Sequence, residues 1–238
     1  MREERRRRFS AARCSMRCAM SAFVLLTAST ADARAVDWME IGTNNFDTLL
    51  QTAMDGSVGV SVEAMRFYLD QLPSKEGVTK VNAAVVRSTG NKTATIFYIP
   101  VTAIKEHRLP WWLKGCNSIG APHPKALEEL GRRGLMSLLV QEAVPALTFE
   151  EIVMREAITA IGYLKVDVEG FDGQVVRSVV DACKWRPSLW PRVLTFEREH
   201  LPAREVRLLR TLLSNHRYIE LRTPNQVEDK FNIHFVRL

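Results

Sequence analysis

An α/β fold built on a mostly parallel sheet is predicted by three features of the sequence. Short apolar runs of strand character alternate with amphipathic helical stripes from residue 36 onward. Four of the five alternating runs end in an acidic residue. The last two runs, Tyr218–Arg222 and Phe231–Leu238, are joined too closely for a crossover, so they pair antiparallel. The length of 238 residues suits one globular domain with a full-sized core. With 46% hydrophobic and 25% charged residues, the composition excludes disordered, collagen-like and multi-span membrane proteins.

The basic charge belongs to the start of the chain. Residues 1–34 carry eight arginines against Glu3, Glu4 and Asp32, a net +5 out of +6 for the whole. The remainder, residues 35–238, is nearly neutral, and no nucleic-acid partner is expected from it. After the basic stretch comes the apolar run Cys18–Ala28, then Ala31-Asp32-Ala33. That order is the order of a signal peptide, so residues 1–34 read as a leader, cleaved or membrane-associating. Its competing reading is an uncleaved helix packed on the sheet. With targeting the protein belongs to the secretory pathway or an organelle, otherwise to the cytoplasm.

The elements follow in order. Val36–Ile41 is a strand entering the loop Gly42-Thr43-Asn44-Asn45, where Asn44 or Asn45 caps a helix to about Met54. Val58–Val62 is a second strand ending at Glu63. Met65, Tyr68, Leu69 and Leu72 share one helical face, stopped by Pro73. Val78–Val86 is a third strand, with a turn at Gly90-Asn91 and a hairpin return at Thr93–Ile99. Residues 100–147 read as irregular apart from a helix over Lys125–Leu139, and Thr148 with Glu151 forms a capping box for a helix to Ile161. Tyr163–Val168 is the fourth strand, Val175, Val176, Val179 and Val180 mark a buried helix face, and Arg192–Phe196 is the fifth strand. Val206, Leu209 and Leu213 form one more helical stripe.

In open α/β sheets ligands bind beyond the carboxyl ends of the strands. Here those ends read Glu40-Ile41-Gly42, Val62-Glu63, Asp167-Val168-Glu169-Gly170 and Phe196-Glu197. Core packing does not account for them, because unpaired carboxylates at a buried sheet edge are costly. The Gly42 loop lacks the second and third glycines of a dinucleotide fingerprint, which opposes an NAD-linked oxidoreductase. Glu40 would repel a pyrophosphate but attract an ammonium or a sulfonium. Glu63 stands where an acid accepts both hydroxyl hydrogens of a ribose. Together these features describe S-adenosylmethionine better than NAD.

Glu40-Ile-Gly-Thr-Asn-Asn-Phe-Asp-Thr, Gly59-Val-Ser-Val-Glu-Ala and Leu164-Lys-Val-Asp-Val-Glu-Gly-Phe-Asp resemble the FkbM-type methyltransferases, over about Val36 to Leu238. The resemblance implies a Rossmann-like class I methyltransferase fold with a seven-stranded sheet and S-adenosyl-L-methionine as cofactor. It also implies O-methylation as the usual reaction. Carried over by position, Glu40, Gly42 and Asn44 would line the methionine end, Glu63 would hold the ribose, and Asp167 and Glu169 would face the methyl. One departure is Phe46, which replaces the loop's usual second glycine and would narrow the pocket.

An alcohol needs a base to take its proton, and Asp167 and Glu169, two residues apart on a strand end, would project from one face. Their alternative role is structural, capping the next helix and pairing with Lys165 or Arg177. Residues 107–123 are expected over the acceptor, a small molecule or glycan, with Trp111, Trp112, Asn117 and Ser118 as walls. His200, just past Glu197, is a further candidate for the substrate cleft. The five histidines show no ligand spacing, so no metal is expected, and Cys116 and Cys183 read as buried thiols. No nucleophile elbow or P-loop is present, which removes hydrolase and kinase readings. A non-catalytic binding protein that keeps the fold is the rival to the enzyme.

Overall fold

The structure is a computed structural model that describes residues 33–45, 48–88, 90, 92–221 and 231–238. Phe46 and nearly all of the leader lie outside these residues. In chain order the elements are β1 (Arg34–Ile41), α1 (Leu49–Thr52), β2 (Gly59–Glu63), α2 (Arg66–Gln71), β3 (Val78–Asn82), β4 (Ala84–Val86) and β5 (Thr93–Tyr98). Then follow α3 (Val101–Glu106), a 3-10 turn (Trp111–Gly115), β6 (Ser118–Ile119), α4 (Pro124–Arg133) and β7 (Val140–Thr148). The chain closes with α5 (Phe149–Arg155), β8 (Ile158–Val166), α6 (Asp172–Trp185), β9 (Val193–Glu197), α7 (Ala203–Ser214), β10 (Tyr218–Glu220) and β11 (Asn232–Arg237).

Seven strands form the main sheet in the order β10-β11-β9-β8-β1-β2-β3. The five from β9 to β3 run parallel, and β11 pairs antiparallel with both β9 and β10, as the closing hairpin requires. Parallel strands carry helices on both faces, so both sides of each strand are apolar. Met39, Ile41, Val60, Val62, Leu164 and Val166 are all buried, and they pack with Val175, Val176, Val179 and Leu209 of α6 and α7. On the other side Trp38 packs with Leu50 and Leu69 of the first two helices and with Leu72 just past the second. Strand order reverses at β1, whose neighbours β2 and β8 are far apart in the chain. That reversal opens a crevice at the carboxyl ends of β1 and β8.

Several sequence expectations need correction. The first helix begins at Leu49, and its cap is Thr48, whose side chain accepts the Gln51 N–H at 3.2 Å, rather than Asn44 or Asn45. The Val78–Val86 run is two strands. Only its first half pairs with β2, and at Asn82 the chain turns away so that β4 pairs with β7. An unbroken apolar run carries no mark of which neighbour each residue will pair with. The hairpin return of Thr93–Ile99 is absent, because β7 inserts between β4 and β5 in a second sheet, β4-β7-β5-β6. β7 itself was missed, since Gln141, Glu142 and Pro145 interrupt its alternation. The capping box at Thr148 and Glu151 is present, but the helix ends at Arg155, where Ala157 takes a left-handed φ of 50°. The β-branched residues beyond it, Ile158, Thr159 and Ile161, extend β8 instead.

A satellite core of Ile99, Ile104, Leu113, Cys116, Ala126 and Leu130 holds α3, the 3-10 turn and α4 together. Cys116 and Cys183 are both free and buried, as the sequence suggested. Among the described residues no helix is long and apolar enough to cross a membrane.

Candidate active site

The crevice at the β1–β8 crossing is a cleft of about 1060 Å³ including its mouth. Its floor is the turn after β1. Gly42 has φ 86°, and a Cβ there would collide with the Asp167 carbonyl, so only glycine lets the two turns meet. The Asp167 N–H donates to the Ile41 carbonyl at 2.9 Å, which carries the β1–β8 pairing to the rim.

The acids of the strand ends converge on this cleft. Glu63, Asp167, Glu169 and Glu197 all line it, beside Gly42, Asn44 and Asn117. Glu63 is held at both oxygens, accepting the Asn44 N–H at 2.6 Å and the Met65 N–H at 2.8 Å. Burial nevertheless outweighs these bonds and pushes its pKa up to about 7. Glu40 stands behind the wall. Its carboxylate accepts the Leu49 N–H at 2.8 Å and meets the Lys165 ammonium at 2.9 Å. Burial raises Glu40 in spite of that lysine. Lys165 also lies 3.7 Å from Asp167, the pairing anticipated as a structural role, whereas Arg177 pairs with Glu205.

The second pair of acids is arranged differently from the strand argument. β8 ends at Val166, so Asp167 and Glu169 sit in a turn, and Glu169 takes a left-handed φ of 52°. Alternation along a strand therefore does not set their directions; the turn does. Burial lifts Glu169 to about 8, with the neighbouring Asp167 adding to the effect. Burial likewise raises Glu197 to about 9, with Glu169 next in influence. His200 approaches Glu169 at 3.3 Å and Glu197 at 3.8 Å, and burial lowers its pKa.

Other expected residues fall elsewhere. Ser118 is in β6, where its hydroxyl donates to the Ala121 carbonyl at 2.7 Å, away from the cleft wall. Trp111 and Trp112 are half exposed on the 3-10 turn and do not line the cleft. The sequence reading missed the bridging position of Lys165 between Glu40 and Asp167. It also missed Asp172, a buried acid that accepts the Gly170 N–H at 3.2 Å and the Glu197 N–H at 3.3 Å. Asp172 opens the helix after the acidic turn, a position whose charge favours the helix start and so was available as a signal.

The cleft fits a cationic, hydroxyl-bearing cofactor. Thr43 Oγ1 and Glu197 Oε2 are buried beside it without hydrogen-bond partners among the described residues. Such atoms call for a ligand, because unpartnered buried polar atoms are costly. Burial raises Glu63, Glu169 and Glu197 together, and a cation beside them would favour their ionised forms.

Comparison with known proteins agrees with this geometry. A family model described as the methyltransferase FkbM domain matches residues 40–220. No curated protein matches the chain. Among solved structures, the METTL16 MTase domain (crystal form 2) is similar at 9% identity and a TM-score of 0.37, covering 87% of this chain and 61% of that one. A human methyltransferase 10 domain containing protein follows at 8% and 0.36, covering 86% and 72%. The N-terminal domain of human METTL16 in complex with SAH is similar at 9% and 0.35, covering 85% and 60%. The chain thus spans about three fifths of the length of these two METTL16 structures. Similarity of this degree says nothing of activity or substrate. The family match, by contrast, runs over well more than half of the sequence, and the chain belongs to the FkbM methyltransferase domain family, whose cofactor is S-adenosylmethionine.

Proposed function

We propose that the protein is an O-methyltransferase that methylates a hydroxyl of a small molecule or glycan. The observation that supports this reading is the convergence of Glu63, Asp167, Glu169 and Glu197 on one cleft where strand order reverses. A cleft this acidic favours a sulfonium and an ammonium over a pyrophosphate. Glu63 is the ribose acceptor, and the Gly42–Asn44 turn with Glu40 behind it forms the methionine end. When bound, the cofactor supplies an electrophilic methyl whose bonding electrons return to sulfur as the oxygen–carbon bond forms. Asp167 or Glu169 takes the hydroxyl proton, and Asn117 bounds the acceptor space. Alignment of the acceptor oxygen behind the methyl does much of the remaining work.

Calorimetric titration of residues 35–238 with S-adenosylmethionine and with NAD tests the cofactor assignment. Tighter binding of S-adenosylmethionine is expected, and tighter NAD would overturn it. Methylated product from a hydroxyl acceptor then separates the enzyme from a binding protein.

The same titration has a pH dependence whose sign is fixed. Ribose hydroxyls donate, so they need Glu63 ionised, and its pKa of about 7 in the empty protein makes ionisation incomplete at neutral pH. Raising pH through about 7 should therefore strengthen binding. At pH 6 affinity should be roughly tenfold below its alkaline plateau, since each unit below the pKa is a factor of ten. A Glu63→Ala variant should lose the part of this slope centred near 7 and keep the part that Glu169 and Glu197 contribute at higher pH, and a native profile flat through pH 7 would count against the ribose role.

A further inference from the structure

We propose that His123, Glu169 and His200 form a binding site for a divalent metal ion of the zinc type. One candidate ligand atom from each residue lies within 4.8 Å of the others. Glu169 is common to both histidines, with His200 Nε2 at 3.3 Å and His123 Nε2 at 3.8 Å from its Oε2. The imidazole rings meet edge to face with centroids 4.6 Å apart. An ion bonded to nitrogen and oxygen at about 2.0–2.2 Å spaces tetrahedral ligands about 3.3–3.6 Å apart, so small ring rotations close the set. Two imidazoles and a carboxylate suit zinc and leave a coordination position open.

The independent observation is His123. Its side chain is 2% exposed, yet neither ring nitrogen has a hydrogen-bond partner among the described residues. A buried imidazole rarely stays unsatisfied, and here Nε2 faces the carboxylate from just beyond bonding distance. Glu197 Oε2, beside His200, is unpartnered as well. The frame around the cluster is tight. His123 is fixed as the residue preceding α4, and Gly170 packs so closely on His200 that a Cβ would lie 3.3 Å from its Cβ and its carbonyl. Glu169 is aimed by its left-handed backbone, a conformation that a non-glycine residue adopts at a cost. Because Glu169 also lines the cleft, an oxygen of the acceptor can complete the coordination, which leaves Asp167 as the base. That last role rests on the proposed methyl transfer, whereas the metal site itself does not.

Calorimetric titration of the full chain with zinc ion alone tests the site. One ion per chain is expected, with a Kd below about 1 µM. His123→Ala and His200→Ala should each weaken binding by at least about a hundredfold, and cobalt ion should give a tetrahedral visible spectrum that both variants lose. His107→Ala removes an exposed histidine and should leave binding unchanged. His200 is less buried than His123, so its variant decides the matter if His123→Ala unfolds. No saturable zinc binding by the native chain, or affinity retained in folded His200→Ala, would overturn the proposal. S-adenosylmethionine titrated into the same preparations reports separately on the methyltransferase reading.

Discussion

Glu63→Ala is expected to weaken S-adenosylmethionine binding at least tenfold. A charge-assisted hydrogen bond contributes roughly 1.5–3 kcal/mol, and the ribose offers two donors to this carboxylate. The structure adds a reason for a large effect. Glu63 also fixes the Asn44 and Met65 N–H groups, and Asn44 sits at a left-handed φ of 49° in the turn proposed as the methionine end. Loss of the carboxylate removes a ligand contact and loosens the turn that carries the rest. Calorimetry on the native protein and the variant, with circular dichroism to establish folding, measures the change. Glu63→Gln keeps side-chain volume and one acceptor oxygen but sets its amide nitrogen against one of the two backbone N–H groups, so an intermediate loss is expected. Unchanged affinity in a folded alanine variant would remove Glu63 from the cofactor site.

The largest effect on turnover is expected at the turn after β8. Asp167→Asn and Glu169→Gln keep shape and remove charge, so each should keep the fold and most cofactor affinity. At least one should lower turnover by roughly 10²–10⁴, the usual worth of a positioned base. Charge at the reacting oxygen matters in the transition state more than in cofactor binding, so the loss should fall on kcat. The structural alternative has a specific form here, because Asp167 lies 3.7 Å from Lys165, and that lysine also neutralises Glu40. If pairing is its whole function, Asp167→Asn should lower the melting temperature and leave turnover per folded molecule intact. Full turnover from both folded variants would place the base elsewhere, with His200 next to test.

The parallel order was legible because its signals are local. Apolar runs such as VSV and LKV, capped by acids and separated by helical stripes, predicted strands β2 and β8, and the β10–β11 hairpin followed from connection length. What failed were decisions about partners. Val78–Val86 looks like one strand until β7 takes its second half, and the Met154–Ile161 stretch looks helical until Ala157 turns left-handed. Propensity is a weak prior that tertiary contacts override, and those contacts come from distant residues.

The site divides along the same line. The sequence alone determined which side chains stand at the strand ends, because alternating strands and helices force a parallel sheet, and such a sheet places its ligands beyond those ends. Glu63, Asp167, Glu169 and Glu197 were therefore readable as one rim before any coordinates. Only the tertiary structure decided that Glu40 turns from the cleft toward Lys165, and that a left-handed turn rather than a strand aims Glu169. It also brought His123 from the start of α4 against His200 from beyond β9. Covalent spacing fixes neighbours along a strand or a helix. Contacts between separate elements arise from burial and chain closure, which depend on the whole fold at once.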